Sequence, residues 1–257
     1  SLSDANSLLR AASLQLSSHL RDSKLQTEVI CLLKNERNFF VRQEAIKSAG
    51  LMKNLGAKND LEKIIANDQR EHEERALAIQ SLVFLMDDAK REEVVILSQS
   101  ARGGFRELAC QLILEMELKD DIDLILPFLK DHRREVRKAA LETIGSLRIH
   151  TFRGKDILAE VVPMLQDIDP KVAITAAWVL LLNDQECGKK ALFDFIDHKD
   201  KEVRLFATGA FVKSGKYGLA YMKEAFQKTR DPFVKMNLSI GLIGQQEFVE
   251  SACNALY

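Results

Sequence analysis

A motif that recurs at a nearly fixed spacing constrains the fold of this sequence more than any other feature. Its clearest copy is Val136-Arg137-x-x-Ala140, which opens an amphipathic segment ending near Gly145. Successive copies start 33, 31, 31, 36, 31 and 31 residues apart. The first positions of the copies are Val41, Glu74, Phe105, Val136, Val172, Val203 and Val234. A period in this range predicts a solenoid, in which each repeat stacks on its neighbours.

Each copy has the features of a helix start. Val136 and Ala140 are four residues apart, so they share one helix face, and the small alanine lets a neighbouring helix approach closely. Before three copies an aspartate occupies one equivalent turn position, and in two of these a proline follows it. These residues are Asp169, Asp200 and Asp231, with Pro170 and Pro232. We expect the aspartates to cap the helices and the prolines to lie in the first turn.

A second apolar pattern precedes each turn, for example Leu61, Ile64 and Ile65. This i, i+3, i+4 spacing predicts another amphipathic helix, so each repeat is a helix, a turn and a second helix. The predicted units are about 23–54, 58–88, 90–118, 121–149, 155–184, 187–215 and 218–244, with partial units at 4–20 and 246–257. The extra residues 149–156 before the fifth unit predict a longer solvent loop or, as an alternative, a binding loop.

The units resemble HEAT repeats, most of all the short HEAT-like type named after phycobilisome lyases. The motif is carried by DHRREVRKAALETIG (131–145), DPKVAITAAWVL (169–180), DKEVRLFATGAF (200–211) and DPFVKMNLSIGL (231–242). The resemblance covers nearly the whole chain and implies an all-α, right-handed α-α superhelix, a single array of about seven helix pairs. Neither end shows a clear polar cap. We therefore expect a segment of a longer protein whose ends self-associate, especially around Phe248 and Leu256.

Charge and cysteine usage narrow the partners and the compartment. The net charge of −1 argues against bulk attraction to nucleic acid or to an anionic membrane. No apolar run is long enough to span a bilayer. The isolated cysteines, Cys31, Cys110, Cys187 and Cys253, are expected to be small buried hydrophobes, which favours a reducing compartment and a cytoplasmic protein.

Some HEAT-like proteins are enzymes. Deoxyhypusine hydroxylase resembles this repeat type and holds iron with His-Glu pairs just after the Val-Arg position, but no histidine occupies that position here. His72-Glu73 occurs once, ahead of the expected helix. We predict no catalytic set, metal or cofactor. A bilin-lyase-like or nucleic-acid-acting enzyme or enzyme subunit stays the alternative.

One repeat position holds a ladder of basic residues that bears on the nucleic-acid alternative. It could line a basic channel, or it could pair internally with turn acids such as Asp131, Asp169 or Asp200. The sequence favours internal pairing, so nucleic acid is not the expected partner. The ladder consists of Arg42, Arg75, Arg106, Arg137, Arg204 and Lys235.

The resemblance implies that the second helices line the concave face, which is the usual binding surface of such arrays. Two positions per repeat should point into this groove. In the last three repeats they hold Gly209 and the apolar residues Ile174, Trp178, Leu205, Met236 and Ile240, and earlier repeats contribute the polar Gln43, Lys47, Gln111 and Glu142. We predict a non-enzymatic scaffold that binds a protein, peptide or helix there. The alternative is that the apolar residues are buried against their own neighbours.

Overall fold

The structure is a computed structural model that describes residues 2–20, 23–86, 91–246 and 249–254. Within these ranges the regular structure is helical apart from one two-stranded hairpin, so the predicted all-α fold class is confirmed. The chain divides into two compact units, Ser1–Ile125 and Leu126–Tyr257. Each is described separately.

The first unit stacks helices in the order that the repeat predicts. Helices α1, α3, α5 and α7 pack in succession, and α2, α4 and α6 pack against the α-helix that follows each of them. The α-helices are α1 Ser7–Leu20, α2 Gln26–Asn35, α3 Phe39–Leu51, α4 Lys58–Ala66, α5 His72–Leu85, α6 Arg91–Ser98 and α7 Gly103–Glu115. Short 3-10 helices span Ser23–Leu25, Leu55–Ala57 and Lys119–Leu124.

The second unit has the same alternation. Its elements are α8 Arg134–Ser146, β1 Thr151–Phe152, β2 Lys155–Asp156, α9 Ile157–Val161, α10 Pro170–Leu181, α11 Glu186–Ile196, α12 Lys201–Lys213, α13 Leu219–Lys228, α14 Pro232–Gly244 and α15 Val249–Asn254. Short 3-10 helices span Leu126–Lys130, Val162–Gln166 and Gly215–Tyr217. The second helices of its repeats, α8, α10, α12 and α14, pack in that order.

The three predicted aspartate caps are present. Oδ1 of Asp169, Asp200 and Asp231 each accepts from the backbone N–H two residues later, at 2.8 Å. Asp231 also accepts from the Val234 N–H at 3.0 Å. The bond from Val234 lowers the pKa of Asp231, partial burial opposes that shift, and the bond from Phe233 adds to it. Pro170 and Pro232 begin α10 and α14, where a missing N–H costs nothing.

The inserted residues 149–156 form a hairpin and not an irregular loop. Thr151 pairs with Asp156 and Phe152 with Lys155. The two turn residues, Arg153 and Gly154, have φ angles of +47° and +76°. Two successive positive φ angles are typical of the type I′ turn, whose twist matches that of the strands it joins.

Other expectations were wrong or lie outside the described residues. His72-Glu73 does lie before the Glu74-Arg75 repeat position, but these two residues already belong to α5. Cys110 is buried as expected, but Cys31 and Cys187 are exposed. Phe248 and Leu256, on which the prediction of self-associating ends depends, lie outside the described residues.

Four ladder residues, Arg42, Arg75, Arg137 and Arg204, form ion pairs within the chain, although with other carboxylates than expected. Arg137 Nη1 donates to the Asp131 carbonyl at 2.8 Å, while Nε and Nη2 donate to the two carboxylate oxygens of Asp167 at 2.7 Å each. The carboxylate therefore comes from the next turn, and Asp131 contributes its backbone. Asp169 and Asp200 are caps. The same link between successive repeats joins Arg10 to Glu36, Arg42 to Glu74 and Arg204 to Asp231.

The bidentate pair predicts that Arg137 contributes much more to the free energy of unfolding than the nearby Arg134. Arg137→Ala should lower the free energy of unfolding by about 2 kcal/mol, because it leaves the nearly buried Asp167 carboxylate without its partner. The Arg137 and Asp167 side chains are 12% and 9% exposed. Arg134, 62% exposed and paired with Asp169, is the matched control, and its alanine variant should cost less than about 1 kcal/mol. Urea denaturation measures both, and equal losses would contradict the prediction.

Candidate functional site

Helix α10 is the most completely buried helix of the second unit and forms the base of the candidate site. Every residue from 172 to 181 is buried. The helix lies between α8 and α12, with α11 and the 3-10 helix Val162–Gln166 also packed against it. A helix that is apolar on all sides needs such surroundings. They explain why its sequence lacks the polar stripe of a surface helix.

A pocket opens where α8, α10 and α12 meet, and we call it the Trp178 pocket. Its volume is about 210 Å³. Ile174 and Trp178 belong to it although they are 0% and 4% exposed, so they form its floor. Apolar side chains predominate among the lining residues, which are Glu142 from α8, Ile174, Thr175 and Trp178 from α10, and Leu205, Phe206, Gly209, Ala210 and Lys213 from α12.

Two glycines shape this pocket in opposite ways. A Cβ at Gly145 would overlap the Trp178 ring at Cζ3 and would lie 3.0 Å from Val179 Cγ2. Glycine at that position therefore lets the indole pack directly on the α8 backbone. A Cβ at Gly209 would meet nothing within 4 Å, so the absence of a side chain there leaves the pocket open.

Charged groups lie at the pocket mouth. Lys213 Nζ is 3.5 Å from Glu142 Oε1 and 4.1 Å from the centroid of the Trp178 ring. The Lys213 side chain is 48% exposed and the Glu142 side chain is 26% exposed. Trp178 Nε1 is buried and has no hydrogen-bond partner among the residues that the structure describes. The pocket thus combines an apolar floor with a neutral ion pair at its rim.

The structure brings four of the predicted site residues into this one pocket. They are Ile174, Trp178, Leu205 and Glu142. Ile174 and Trp178 are buried, as the alternative of packing against their own neighbours predicts, so these two side chains do not face an open groove. Met236 and Ile240 occupy the equivalent positions of α14, where they are 41% and 56% exposed and do not line the pocket.

The remaining predicted site residues belong to the first unit. Gln43 is buried in α3, and within the described part of the chain its Nε2 atom has no hydrogen-bond partner, so the expectation that it faces a groove was wrong. It is buried because α3 packs between α1 and α5. Lys47 is exposed and pairs with Glu44 at 2.7 Å. Gln111 is half-buried on α7.

Sequence reasoning placed Gly209 at a groove position without naming it as a contact, and it did not assign Phe206 or Lys213 to the site. The missed signal is the spacing of Leu205, Gly209 and Lys213, which continue one helix face at intervals of four residues. The predicted groove positions include those of Leu205 and Gly209, but not that of Lys213, which lies one helical turn further on at the pocket rim.

Across the described ranges, no three His, Cys, Asp or Glu residues lie close enough together to hold a metal ion. None of the helices in those ranges combines the length and apolar character needed to cross a membrane.

No protein-family model and no curated protein matches the sequence. Among solved structures, the X-ray structure of YibA from Escherichia coli is 21% identical with a TM-score of 0.48, over 95% of this chain and 89% of that one. The complex of CpcE and CpcF of phycocyanin lyase from Nostoc sp. PCC7120 is 18% identical with a TM-score of 0.47, over 99% of this chain and 89% of that one. The crystal structure of an engineered protein is 14% identical with a TM-score of 0.43, over 94% of this chain and 75% of that one.

Proposed function

We propose that this chain is a non-enzymatic protein-interaction module whose Trp178 pocket binds a side chain of a partner peptide or helix. The observation that supports this most directly is an open apolar pocket with a buried floor. Its volume of about 210 Å³ lies below the roughly 300–1,000 Å³ of small-molecule and cofactor pockets. The pocket therefore suits one side chain better than a chromophore.

The exposed apolar residues of α14 extend the proposed surface beyond the pocket. Met236 and Ile240 occupy the same repeat positions as Leu205 and Gly209 of α12, against which α14 packs. Packed helices lie roughly 8–10 Å apart, and an extended peptide advances roughly 10 Å in three residues. A partner with two side chains three residues apart in an extended segment would reach both places, with an apolar stem in the Trp178 pocket and an apolar side chain on Met236 and Ile240.

Polar groups would set the orientation of the partner more than its affinity. Glu142, at the pocket mouth, suits this role. Lys47 and Gln111 stay proposed polar contacts of the first unit, whereas the buried Gln43 is not part of the proposal.

The alternative, a HEAT-like enzyme or enzyme subunit, predicts different properties of the purified protein. A bilin-lyase-like or metal-dependent role requires a bound chromophore or metal. We propose a module that carries neither, and an absorbance spectrum with metal analysis distinguishes the two cases. For nucleic acid, the ladder arginines Arg42, Arg137 and Arg204 already donate to protein oxygens, which leaves less positive charge for phosphates.

A peptide selection tests the proposal. A random peptide library displayed on phage is selected on the protein, and the enriched peptides are titrated while the fluorescence of Trp178, the single tryptophan of the chain, is recorded. Gly209→Leu should weaken their binding at least tenfold, because leucine fills the pocket mouth in space that is open. Loss of one buried apolar anchor has this size, about 1.5–3 kcal/mol.

The matched control is Gln80→Leu, which places the same side chain at the equivalent, exposed repeat position of α5 in the first unit. It should leave binding unchanged. Peptides that bind the Gly209→Leu protein as well as the original, or a selection that enriches none, would contradict the proposed function.

A further inference from the structure

The rim lysine of the Trp178 pocket has the geometry of a bound ligand. Lys213 is the last residue of α12, and its ammonium lies 4.1 Å from the Trp178 ring centroid and 3.5 Å from the Glu142 carboxylate. An aromatic face and a carboxylate both attract an ammonium group. The mouth of the pocket therefore already binds an ammonium group, supplied by the chain itself.

The cavity distinguishes Lys213 from other lysines that lie over rings. Lys201 is 3.5 Å from the Phe233 ring centroid and Lys189 is 5.0 Å from that of Tyr221, but none of these four residues lines the pocket. Lys171 Nζ is 5.9 Å from the ring centroid of Phe206, which lines the pocket, but Lys171 itself does not line it, whereas Lys213 does. Beside Lys213, the side chains of Ile174 and Leu205 line an apolar space that can take an alkyl stem or N-methyl groups.

We propose that Lys213 occupies the place of a partner's ammonium group, and that the side chain bound in the Trp178 pocket is a lysine, including its N-methylated forms. This rests on the proposed function and names its ligand. The partner's stem lies against the apolar side chains, its ammonium meets Trp178 and Glu142, and Lys213 swings out into water. N-methylation retains the positive charge and adds apolar contact.

Charge balance favours a cationic partner over an acidic one. An acidic group would draw Lys213 away and leave Glu142, 26% exposed, without its cation, which is costly for a partly buried carboxylate. A cationic partner replaces Lys213 at both contacts. The released lysine is 48% exposed and ends a helix, where the helix dipole favours positive charge.

The built-in lysine also lowers the apparent affinity for the partner. Lys213 competes with the partner's ammonium group for the pocket mouth, and its effective concentration there is high because it belongs to the same chain. If it fills the site about nine-tenths of the time, its removal tightens binding about tenfold, because only the vacant fraction can bind.

The experiment uses three small probes on the full chain, with the fluorescence of Trp178 as the readout. The probes are N-acetyl-lysine methylamide, its trimethylated form, and N-acetyl-norleucine methylamide, which has the stem without the ammonium. In Lys213→Ala we expect both cationic probes to bind about tenfold more tightly than to the original protein and at least fivefold more tightly than the norleucine probe. Adding Glu142→Gln should weaken the cationic probes severalfold and leave the norleucine probe unchanged.

Lys213→Gln is the second variant, because it keeps part of the stem over the pocket if alanine destabilises the helix end. Circular dichroism checks the folding of both. Equal binding of the norleucine and lysine probes by a folded variant overturns the ammonium site, and so does no saturable response to any probe. Neither result depends on the peptide selection with Gly209→Leu, so the proposed function stands or fails separately.

Discussion

Trp178→Ala is expected to lower the free energy of unfolding by about 3–5 kcal/mol, the range measured for truncating a large buried aromatic side chain. Trp178 is 4% exposed, and its ring packs on Gly145. Its removal leaves a cavity under the α8, α10 and α12 helices, whose close packing prevents full collapse. Thermal and urea unfolding followed by far-ultraviolet circular dichroism measure the loss. An unchanged melting temperature would show that Trp178 serves binding alone.

Trp178→Phe is the matched control for the indole N–H. Because Trp178 Nε1 is buried without a hydrogen-bond partner, phenylalanine removes an unsatisfied donor, whose burial costs about 1–3 kcal/mol. It also removes part of the ring and loses packing. The two effects oppose each other, so we expect a net change below about 1.5 kcal/mol. A loss as large as that of Trp178→Ala would indicate that the N–H has a partner in solution.

Gly104→Ala is expected to destabilise the first unit by about 2 kcal/mol or more, although alanine is the better helix former. Gly104 lies in the first turn of α7, and a Cβ there would overlap the carbonyl oxygen of Ile65 and lie 3.1 Å from its carbonyl carbon. These are backbone atoms, so the overlap is relieved only by moving α4 away from α7. Urea denaturation measures the effect.

Gly209→Ala is the control for the same chemical change. Gly209 lies inside α12, and an added Cβ meets nothing within 4 Å. Alanine should therefore stabilise the second unit by about 0.5–1 kcal/mol through helix propensity. Opposite signs for the two glycines are the expected result. Stabilisation by Gly104→Ala would mean that α4 and α7 are not in close contact.

The sequence by itself determined the helical repeat and its phase. The spacing of Val136-Arg137-x-x-Ala140 and its copies located the second helices, and Asp169, Asp200 and Asp231 marked where three of them begin. These features are local. A cap or an apolar face depends on residues within one or two helical turns, and such patterns can be read along the chain.

The sequence could also name most of the pocket's floor, but it could not tell a groove from a core. Ile174, Trp178 and Leu205 were singled out, yet Ile174 and Trp178 are almost fully buried. The sequence therefore left open whether these apolar residues face a groove or are buried against their own neighbours. Lys213 was missed because its role depends on reaching Glu142 of α8, a residue 71 positions earlier in the chain.

Only the tertiary structure decided how much of each repeat position is exposed. Gln43 and Met236 occupy the same position in their repeats, but Gln43 is 9% exposed and Met236 is 41% exposed. Helix α3 packs between the second helices α1 and α5, whereas α14 packs against the second helix α12 and against α13 and α15. Burial is a sum over neighbouring helices that are distant in sequence, so equal repeat positions acquire unequal surroundings, and one of them becomes a pocket.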